Sequence, residues 1–291
     1  MPSSPEATIK KNILRRKSIV NDRLDFYEKN PNPTWIELSI IDVCNRSCSF
    51  CPKSDPSIAP NTYQQMSIGL IKKIAKDAKK ISFKGAFALC GYGEPLLHKE
   101  VMKIVEILSK VSDVEIITNG DTLNAKLIQK LYKSNLKKLL ISLYDGPQQI
   151  IKFEKMIKEA KVPLDFVIIR DRWYDKSKNF GVKLTNRTGT ISIGDQLKVG
   201  VHKVCYYPSY QILIDWDGNT YLCPQDWQRR ISMGNVMQQD FNEIWVGKFL
   251  AKYRKKLLQG DRSLSPCNTC NAQGTLLGVD HALEWKRIYK I

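Results

Sequence analysis

The sequence predicts an α/β fold built on a parallel sheet, on the basis of two patterns and the chain length. Extended apolar segments alternate with amphipathic helical segments from about residue 34 to residue 190. Alternation at this spacing is typical of parallel sheets, either doubly wound or closed toward a barrel. The pattern changes after residue 190, and the 291 residues, 43% of them hydrophobic, suffice for a large core and a second, smaller domain.

The elements follow in order along the chain. Residues 1–33 form a basic N-terminal extension with an amphipathic segment over residues 13–27, which Asn30-Pro31-Asn32-Pro33 ends. Residues 34–190 form the core, with strands predicted over residues 35–41, 86–90, 114–118, 139–143 and 164–169, and a weaker sixth over residues 182–185. Helices are predicted between them over residues 68–78, 101–108, 123–132 and 148–160.

The last part of the chain, residues 191–291, has a different organisation. Two short strands over residues 210–215 and 220–223 flank Asp217-Gly218-Asn219, which predicts a hairpin. A helix is predicted over residues 241–258, and a short helix over residues 282–291. These elements predict a small α+β domain.

The charge and composition exclude several classes of protein. No run of about 18 apolar residues is present, which excludes a membrane-spanning helix. The start of the chain has no apolar signal core, which predicts a cytoplasmic location. Lys and Arg outnumber Asp and Glu by 46 to 29, and the net charge of +17 favours acidic partners such as nucleotide-sugars or phosphorylated substrates. Because no RNA-binding motif is present, a nucleic acid partner is not predicted.

Three of the eight cysteines lie close together, just after the first predicted strand. Clustered cysteines in a reducing compartment indicate a metal site rather than disulfides. Cys44, Cys48 and Cys51 have the spacing C-x3-C-x2-C, and their thiolates suit zinc or an iron–sulfur cluster. Three ligands are fewer than the four of a closed structural site, so one iron of a cluster would stay open to another molecule. Part of a zinc site is the alternative.

This spacing, with the aromatic Phe50 just before the third cysteine, resembles the radical S-adenosylmethionine (SAM) superfamily. The resemblance covers nearly the whole chain and implies a partial (β/α)6 barrel. It also implies a 4Fe–4S cluster whose open iron binds the amino and carboxylate groups of SAM, and an enzyme that abstracts hydrogen with a 5′-deoxyadenosyl radical. An electron donor such as flavodoxin or ferredoxin would reduce the cluster.

Polar motifs follow the ends of the next predicted strands, where a parallel sheet forms its ligand sites. Gly91-Tyr92-Gly93-Glu94-Pro95 is similar to the GGEP segment of the superfamily, with Tyr92 as a departure. Its glycines would let the backbone approach a ligand, and Glu94 could accept from an ammonium group. The resemblance assigns SAM binding to Phe50, Gly91, Gly93, Glu94, Thr118 and Asn119, and the SAM ribose or carboxylate to Ser142 and Arg170. Ordinary turns are the alternative for the glycine and asparagine motifs.

A second cysteine set comprises Cys205, Cys223, Cys267 and Cys270. A structural zinc ribbon and a fully ligated iron–sulfur cluster both need four thiolates. The region resembles the shortened SPASM, or twitch, extension of radical SAM enzymes, in which Gly-x4-Cys is matched by Gly218 and Cys223. The resemblance implies one auxiliary 4Fe–4S cluster and therefore two clusters in all. Cys90 is left over, and we assign it no chemistry.

An auxiliary cluster next to a radical site implies oxidation of an alcohol to a ketone. The layout is most similar to twitch enzymes that oxidise a secondary alcohol, so the predicted substrate is a small sugar, aminocyclitol or nucleotide-linked sugar. Arg187, after the predicted sixth strand, is the predicted substrate contact, with a surface salt bridge as the alternative. Modification of a peptide or protein side chain, and a non-enzymatic zinc and nucleic-acid-binding protein, are the alternative functions.

Overall fold

A computed structural model describes residues 5–173, 184–193 and 203–291. The strands within these ranges are β1 Phe26–Tyr27, β2 Asn30–Pro31, β3 Trp35–Ser39, β4 Ala86–Leu89, β5 Asp113–Thr118, β6 Lys138–Leu143, β7 Val167–Asp171, β8 Gln211–Asp215, β9 Asn219–Tyr221 and β10 Ser232–Asn235. The helices are α1 Pro5–Val20, α2 Ile68–Lys80, α3 Val101–Leu108, α4 Ala125–Lys133, α5 Gln148–Ala160, α6 Tyr207–Tyr210, α7 Phe241–Val246, α8 Lys248–Leu258 and α9 Val279–Tyr289.

One eight-stranded sheet organises the fold. Its strand order is β10-β9-β8-β3-β4-β5-β6-β7, and β8 through β7 run parallel, while β9 and β10 are antiparallel additions. The helices α2, α3, α4 and α5 connect the successive parallel strands from β3 to β7. The mixed α/β fold with a parallel sheet, predicted from the sequence, is confirmed.

The helices cover one face of the sheet because each has an apolar stripe. Ile36 and Leu38 of β3 pack in the same buried cluster as Ile71 and Ile74 of α2. Burial of this stripe leaves the lysines of α2 on its other side. Ser67 caps α2 by accepting from the Leu70 amide at 3.1 Å, which satisfies one of the free donors of its first turn.

The opposite face of the sheet carries buried charges and is contacted by α1. Glu37 and Glu115 lie on either side of Ala88 in the strand register. Arg15 of α1 forms an ion pair with Glu115. Arg16 donates to Gln211 Oε1 at 2.9 Å, and its guanidinium lies 4.4 Å from the centre of the Trp35 ring. The predicted N-terminal extension thus contains a helix, α1, that supplies counter-charges to this face.

Two predicted elements differ clearly from the structure, and a third lies mostly outside the described residues. The strand predicted over residues 164–169 is β7, which begins at Val167 because Pro163 to Phe166 form a turn. The predicted helix over residues 241–258 is two helices, α7 and α8. The chain breaks at Gly247, where a Cβ atom would lie 2.8 Å from the Glu243 carbonyl oxygen. Most of the predicted sixth strand, residues 182–185, lies outside the described residues, and the sixth parallel strand of the sheet is β8.

The predicted domain boundary near residue 190 does not coincide with a break in the sheet. Strand β8 belongs to residues 191–291 but pairs with β3 over its whole length, Trp35 opposite Gln211 and Ser39 opposite Asp215. The division into residues 34–190 and 191–291 therefore stays a prediction. Among the described residues, no helix is long and apolar enough to cross a membrane.

Candidate functional site

The first cysteine set lies in the loop after β3, at the edge where the parallel strands end. Cys44, Cys48 and Cys51 line one cavity together with residues that follow β4 and β5. Six of the eight residues predicted to bind SAM line the same cavity: Phe50, Gly91, Gly93, Glu94, Thr118 and Asn119. The other two, Ser142 and Arg170, are not among the described residues that line this cavity. The structure therefore gathers most of the predicted site in one place.

The three thiols of this set are ill suited to carry charge by themselves. Burial raises the pKa of Cys44 and Cys51. For Cys48, burial and repulsion from the other two cysteines raise the pKa to about 12. Three thiolates that line one cavity need a positively charged partner, which the irons of a cluster would supply.

Arg46, between the first two cysteines, fastens the cysteine loop to the ends of β5 and β6. Its Nε and Nη2 donate to the two carboxylate oxygens of Asp121, both at 2.6 Å. Its Nη1 and Nη2 donate to the two oxygens of Asp145, both at 2.7 Å. Such two-pronged pairs fix geometry as well as charge. This clamp was not predicted from the sequence, although the basic residue inside the cysteine motif and the aspartates after two strands are its signal.

Glu94 is a fixed carboxylate at the wall of the cavity, with only 3% of its surface exposed. It accepts from the Leu96 amide at 3.0 Å, the Thr118 hydroxyl at 2.6 Å and the Asn119 amide at 2.8 Å. Burial raises the pKa of Glu94, and these donors oppose the rise. A carboxylate can accept about four hydrogen bonds, so Glu94, which lines the cavity, can accept from one more donor.

Asn119 joins the end of β5 to the cysteine loop. Its Nδ2 donates to Asn45 Oδ1 at 2.8 Å and lies 4.0 Å from Cys44 Sγ. Its backbone amide holds Glu94. Asn119 therefore orients both the first cysteine and the carboxylate, and Thr118 holds the other oxygen of that carboxylate.

The two glycines of the motif make room for protein atoms. A Cβ atom at Gly91, where φ is +110°, would lie 2.4 Å from Ser39 Oγ. A Cβ atom at Gly93 would lie 2.4 Å from the Ile41 carbonyl oxygen and 2.6 Å from that of Val43. The sequence predicted that these glycines approach a ligand closely. In the structure they approach the segment of the chain that leads into the cysteine loop. Their predicted contact with SAM stays a prediction.

Tyr92, the departure from the superfamily motif, points toward the C-terminal part of the chain. Its ring stacks on Trp227 with the centroids 5.1 Å apart, and the Arg229 guanidinium lies 4.8 Å from its centre. Its hydroxyl donates to the Ile58 carbonyl at 2.8 Å. A glycine at this position would remove a contact that joins the two parts of the chain.

Ser142 and Arg170 lie opposite one another on β6 and β7, beside Tyr144. Arg170 Nη2 donates to Ser142 Oγ at 2.6 Å. Burial and the nearby Arg172 lower the pKa of Arg170 to about 10. The structure places the pair next to Tyr144, which does line the cavity, so their predicted role in holding SAM stays a prediction.

The second cysteine set surrounds a separate cavity in the C-terminal part. Cys205, Cys223, Cys267 and Cys270 all line it, together with Thr188 and Arg262. Burial raises the pKa of all four thiols, to about 11 for Cys205 and about 12 for Cys267. Sequence spacing alone left open whether residues so far apart could meet, and the structure brings them together.

Both cysteine sets have ligands that fit an iron–sulfur cluster. The members of each set line one cavity together. The soft all-thiolate ligands suit iron–sulfur chemistry.

Arg187, the predicted substrate contact, is not among the described residues that line either cysteine cavity, and its role stays a prediction. Its charge opposes the larger effect of burial on the pKa of Cys51 in the first set and on that of Cys270 in the second. Its Nη1 is 3.4 Å from Gln225 Oε1, just beyond Cys223. The surface salt bridge considered from the sequence is absent among the described ion pairs.

Comparison with known proteins agrees with this geometry. The family model of the radical SAM superfamily matches residues 38–168, and that of the SPASM iron–sulfur cluster-binding domain matches residues 205–271. The first match contains Cys44, Cys48 and Cys51, and the second contains Cys205, Cys223, Cys267 and Cys270.

Two curated relatives show different extents of similarity. The S-adenosyl-L-methionine-dependent 2-deoxy-scyllo-inosamine dehydrogenase of Niallia circulans is 28% identical over 245 residues, which cover 82% of this chain and 92% of the relative. A GTP 3′,8-cyclase of Microcystis aeruginosa is 35% identical over 117 residues, covering 38% of this chain and 34% of the cyclase. Only the first similarity extends through most of both proteins.

Solved structures share the fold. BtrN in complex with AdoMet and 2-DOIA has a TM-score of 0.70 at 24% identity, covering 86% of this chain and 97% of BtrN. Native anSMEcpe with bound AdoMet has a TM-score of 0.54 at 15% identity, covering 88% of this chain and 96% of that structure. The solved structures show the shared fold, while the two family models and the dehydrogenase similar over most of its length identify residues 38–168 as the radical SAM region and residues 205–271 as the SPASM iron–sulfur domain of a radical SAM enzyme.

Proposed function

We propose that this enzyme oxidises a secondary alcohol of a small sugar, aminocyclitol or nucleotide-linked sugar to a ketone. It would use SAM and two 4Fe–4S clusters, one held by Cys44, Cys48 and Cys51 and one by the four C-terminal cysteines. The 2-deoxy-scyllo-inosamine dehydrogenase similar over most of its length supports this reaction class.

The observation that carries the proposal is that each cysteine set lines a cavity of its own. Arg187 lies beside the second cavity, because its Nη1 is 3.4 Å from Oε1 of Gln225, which lines that cavity. Its backbone is held in the left-handed region, with φ of +47°, which is uncommon for a residue other than glycine. The next residue, Thr188, is fastened to the second set. Its hydroxyl donates to the Gln225 carbonyl at 3.0 Å, and its own carbonyl accepts from Thr269 at 3.0 Å. Backbone held in such a conformation is often found at functional sites.

The reaction balances with the groups that the two sites would supply. When loaded, the first site would supply the chemistry that removes one hydrogen atom from the carbinol carbon, and the second would supply an acceptor for the remaining electron. The hydroxyl proton would leave to solvent or to a base, so that loss of one hydrogen atom, one proton and one electron would convert the alcohol to a ketone. An external donor, such as flavodoxin or ferredoxin, would supply the electron that the first site consumes.

Arg187 would bind the alcohol oxygen of the substrate. Its guanidinium is a poor general base but a strong hydrogen-bond donor, and a cation beside a hydroxyl favours loss of the proton. Glu94 would accept from the ammonium group of SAM, for which it has one free acceptor position. The net charge of +17 suits an acidic electron donor or an anionic, nucleotide-linked substrate.

The test uses anaerobically reconstituted enzyme and candidate alcohols carrying deuterium at the carbinol carbon. We expect deuterium in 5′-deoxyadenosine and a ketone product from at least one candidate, with 2-deoxy-scyllo-inosamine as the first. Mass spectrometry follows both products. SAM cleavage without deuterium transfer from any sugar, aminocyclitol or nucleotide-linked sugar would overturn the proposed substrate class.

The role of Arg187 is tested in the same assay. Arg187→Met should lower ketone formation by about 100-fold, the loss typical of one donor to a reacting oxygen. SAM should still be cleaved, so 5′-deoxyadenosine would form without ketone. The control is Arg287→Met, because Arg287 is an exposed arginine of α9 that pairs with Glu284. Unchanged ketone formation by Arg187→Met would remove Arg187 from the site and leave the reaction class intact.

A further inference from the structure

Arg262 is a buried arginine that lies beside the second cysteine cavity. Only 2% of its surface is exposed, and it lines the cavity together with all four cysteines. It follows α8 and precedes Cys267 by five positions in the chain. No role was predicted for Arg262 from the sequence, because an arginine in a polar loop is usually a solvated surface residue.

All five N–H groups of Arg262 donate to backbone carbonyl oxygens. On one side, Nε donates to Lys203 at 2.7 Å and Nη2 to Val204 at 3.2 Å. On the other side, Nη1 donates to Ala272 at 2.8 Å and to Cys270 at 3.4 Å, and Nη2 donates to Gln273 at 3.3 Å. The first segment leads into Cys205, and the second contains and follows Cys270. One side chain thus joins the two segments that carry the first and last cysteines of the set.

The charge of Arg262 has no carboxylate partner among the described residues. Its five hydrogen bonds use neutral carbonyls, and none of the described salt bridges includes it. A buried charge without a counter-charge is costly. By contrast, the buried Arg229 does have a counter-charge and pairs with Asp215 at 2.6 Å.

We propose that the counter-charge of Arg262 is the auxiliary cluster, and that this arginine both positions the cluster ligands and makes the cluster easier to reduce. A 4Fe–4S cluster with four thiolate ligands is an anion whose negative charge increases by one when it accepts an electron. A fixed positive charge beside it therefore stabilises the reduced form more than the oxidised form. This would favour acceptance of the electron from the substrate. The inference rests on the proposed auxiliary cluster and adds a positioning residue to it.

The position of Arg262 gives the direction of this effect. It lines the same cavity as all four cysteines, and its Nη1 lies 3.4 Å from the carbonyl oxygen of Cys270. The guanidinium is therefore placed to stabilise negative charge on a cluster in this cavity. Arg262 lies outside the cysteine motif, so exchanging it removes no cluster ligand.

Arg254 provides a matched control in the same half of the protein. It is also fully buried and has no carboxylate partner among the described residues, and it donates to the Pro208 carbonyl at 2.8 Å and the Trp245 carbonyl at 3.0 Å. Its guanidinium lies 3.8 Å from the centre of the Trp285 ring, so aromatic rings stabilise its charge. Arg254 is not among the described residues that line the cysteine cavity.

The experiment measures the auxiliary cluster alone, in full-length protein whose first set is removed by Cys44→Ala, Cys48→Ala and Cys51→Ala. Iron and sulfide content and the reduction potential, from an EPR-monitored titration, are compared for Arg262→Gln, Arg262→Lys and Arg254→Gln. In Arg262→Gln we expect the reduction potential of the auxiliary cluster to fall by at least about 59 mV. For one electron, this is a tenfold shift of the cluster toward its oxidised form. Arg262→Lys keeps the charge and should keep the potential, with a lower iron content because it has fewer donors. Arg254→Gln should leave the potential unchanged.

Each outcome bears on one claim. A potential in Arg262→Gln equal to that of the parent, or an equal decrease in Arg254→Gln, would overturn the inference. If Arg262→Gln assembles no cluster, Arg262→Lys decides: assembly at the parent's potential supports the inference, and failure of the charge-keeping variant contradicts it. A parent protein that assembles no iron–sulfur cluster at these cysteines would refute the proposed function itself, which is a separate result.

Discussion

Gly274 shows at the scale of one residue how the auxiliary cysteine set depends on backbone shape. Its φ is +71°, and a Cβ atom there would lie 2.5 Å from Cys205 Sγ and 3.2 Å from Cys205 Cα. Its carbonyl accepts from the Tyr206 amide at 2.8 Å, so a backbone hydrogen bond holds the two segments together beside this contact. Only glycine leaves room for the thiol in this arrangement.

We predict that Gly274→Ala displaces Cys205 and lowers the iron and sulfide content of the second set by at least half. The physical reason is the clash with the thiol, added to the strain of a side chain at positive φ. Gly189→Ala is the control, because Gly189 also has positive φ, of +93°, but a Cβ atom there would meet nothing closer than 3.7 Å. Equal losses of iron in the two variants would mean that backbone strain, and not the contact with Cys205, is responsible.

At the scale of elements, α1 contributes a buried charge to the sheet. The side chains of the Arg15–Glu115 pair are 13% and 1% exposed, and burial raises the pKa of Glu115 while Arg15 opposes this rise. The Arg23–Asp113 pair, at 2.8 Å, joins a nearby part of the chain to the same strand, but its side chains are 33% and 25% exposed. The two pairs differ chiefly in burial.

Arg15→Met should lower the free energy of unfolding by about 3 kcal/mol, because Glu115 would be left buried without a counter-charge. Replacing both residues, as Arg15→Met with Glu115→Gln, should restore part of the loss. Arg23→Met should cost less than about 1 kcal/mol, as for other exposed pairs. Urea unfolding of the four proteins, including the parent, measures these values. A loss in Arg15→Met no larger than in Arg23→Met would show that α1 does not supply a needed charge.

The elements also show what the sequence could and could not predict. Helix α5 has the bounds predicted from the sequence, since an apolar stripe determines which residues face the sheet. The gathering of Cys44, Cys48 and Cys51 was predictable because their spacing is local. Arg46 and Arg262 were not, because the partners of each lie on separate segments that only the folded chain brings together. The pairing of β8 with β3 was not predicted, because strand order is not encoded in the apolar pattern of a single segment.

At the scale of the whole molecule, both cysteine sets depend on one sheet. Strand β3 leads into the first set, and its parallel neighbour β8 leads through a hairpin to Cys223 of the second. Arg229, after Cys223, pairs with Asp215 at the end of β8 and lies over the ring of Tyr92 in the glycine motif. The two sites are therefore held at a fixed relation by the sheet and by this bridge.

We predict that the barrel core and the C-terminal part unfold together, in one cooperative transition. Strands β3 and β8 form the centre of the sheet, and Ile36 and Ile214 on them are fully buried, so neither strand can leave without exposing the other. Native-state hydrogen exchange should give the same opening free energy for the amides of β3 and of β8, within about 0.5 kcal/mol. Amides of β1 and β2, a separate two-stranded sheet, serve as the comparison and should open more easily. Exchange of β8 at a distinctly lower free energy than β3 would instead support two independently folding domains divided near residue 190.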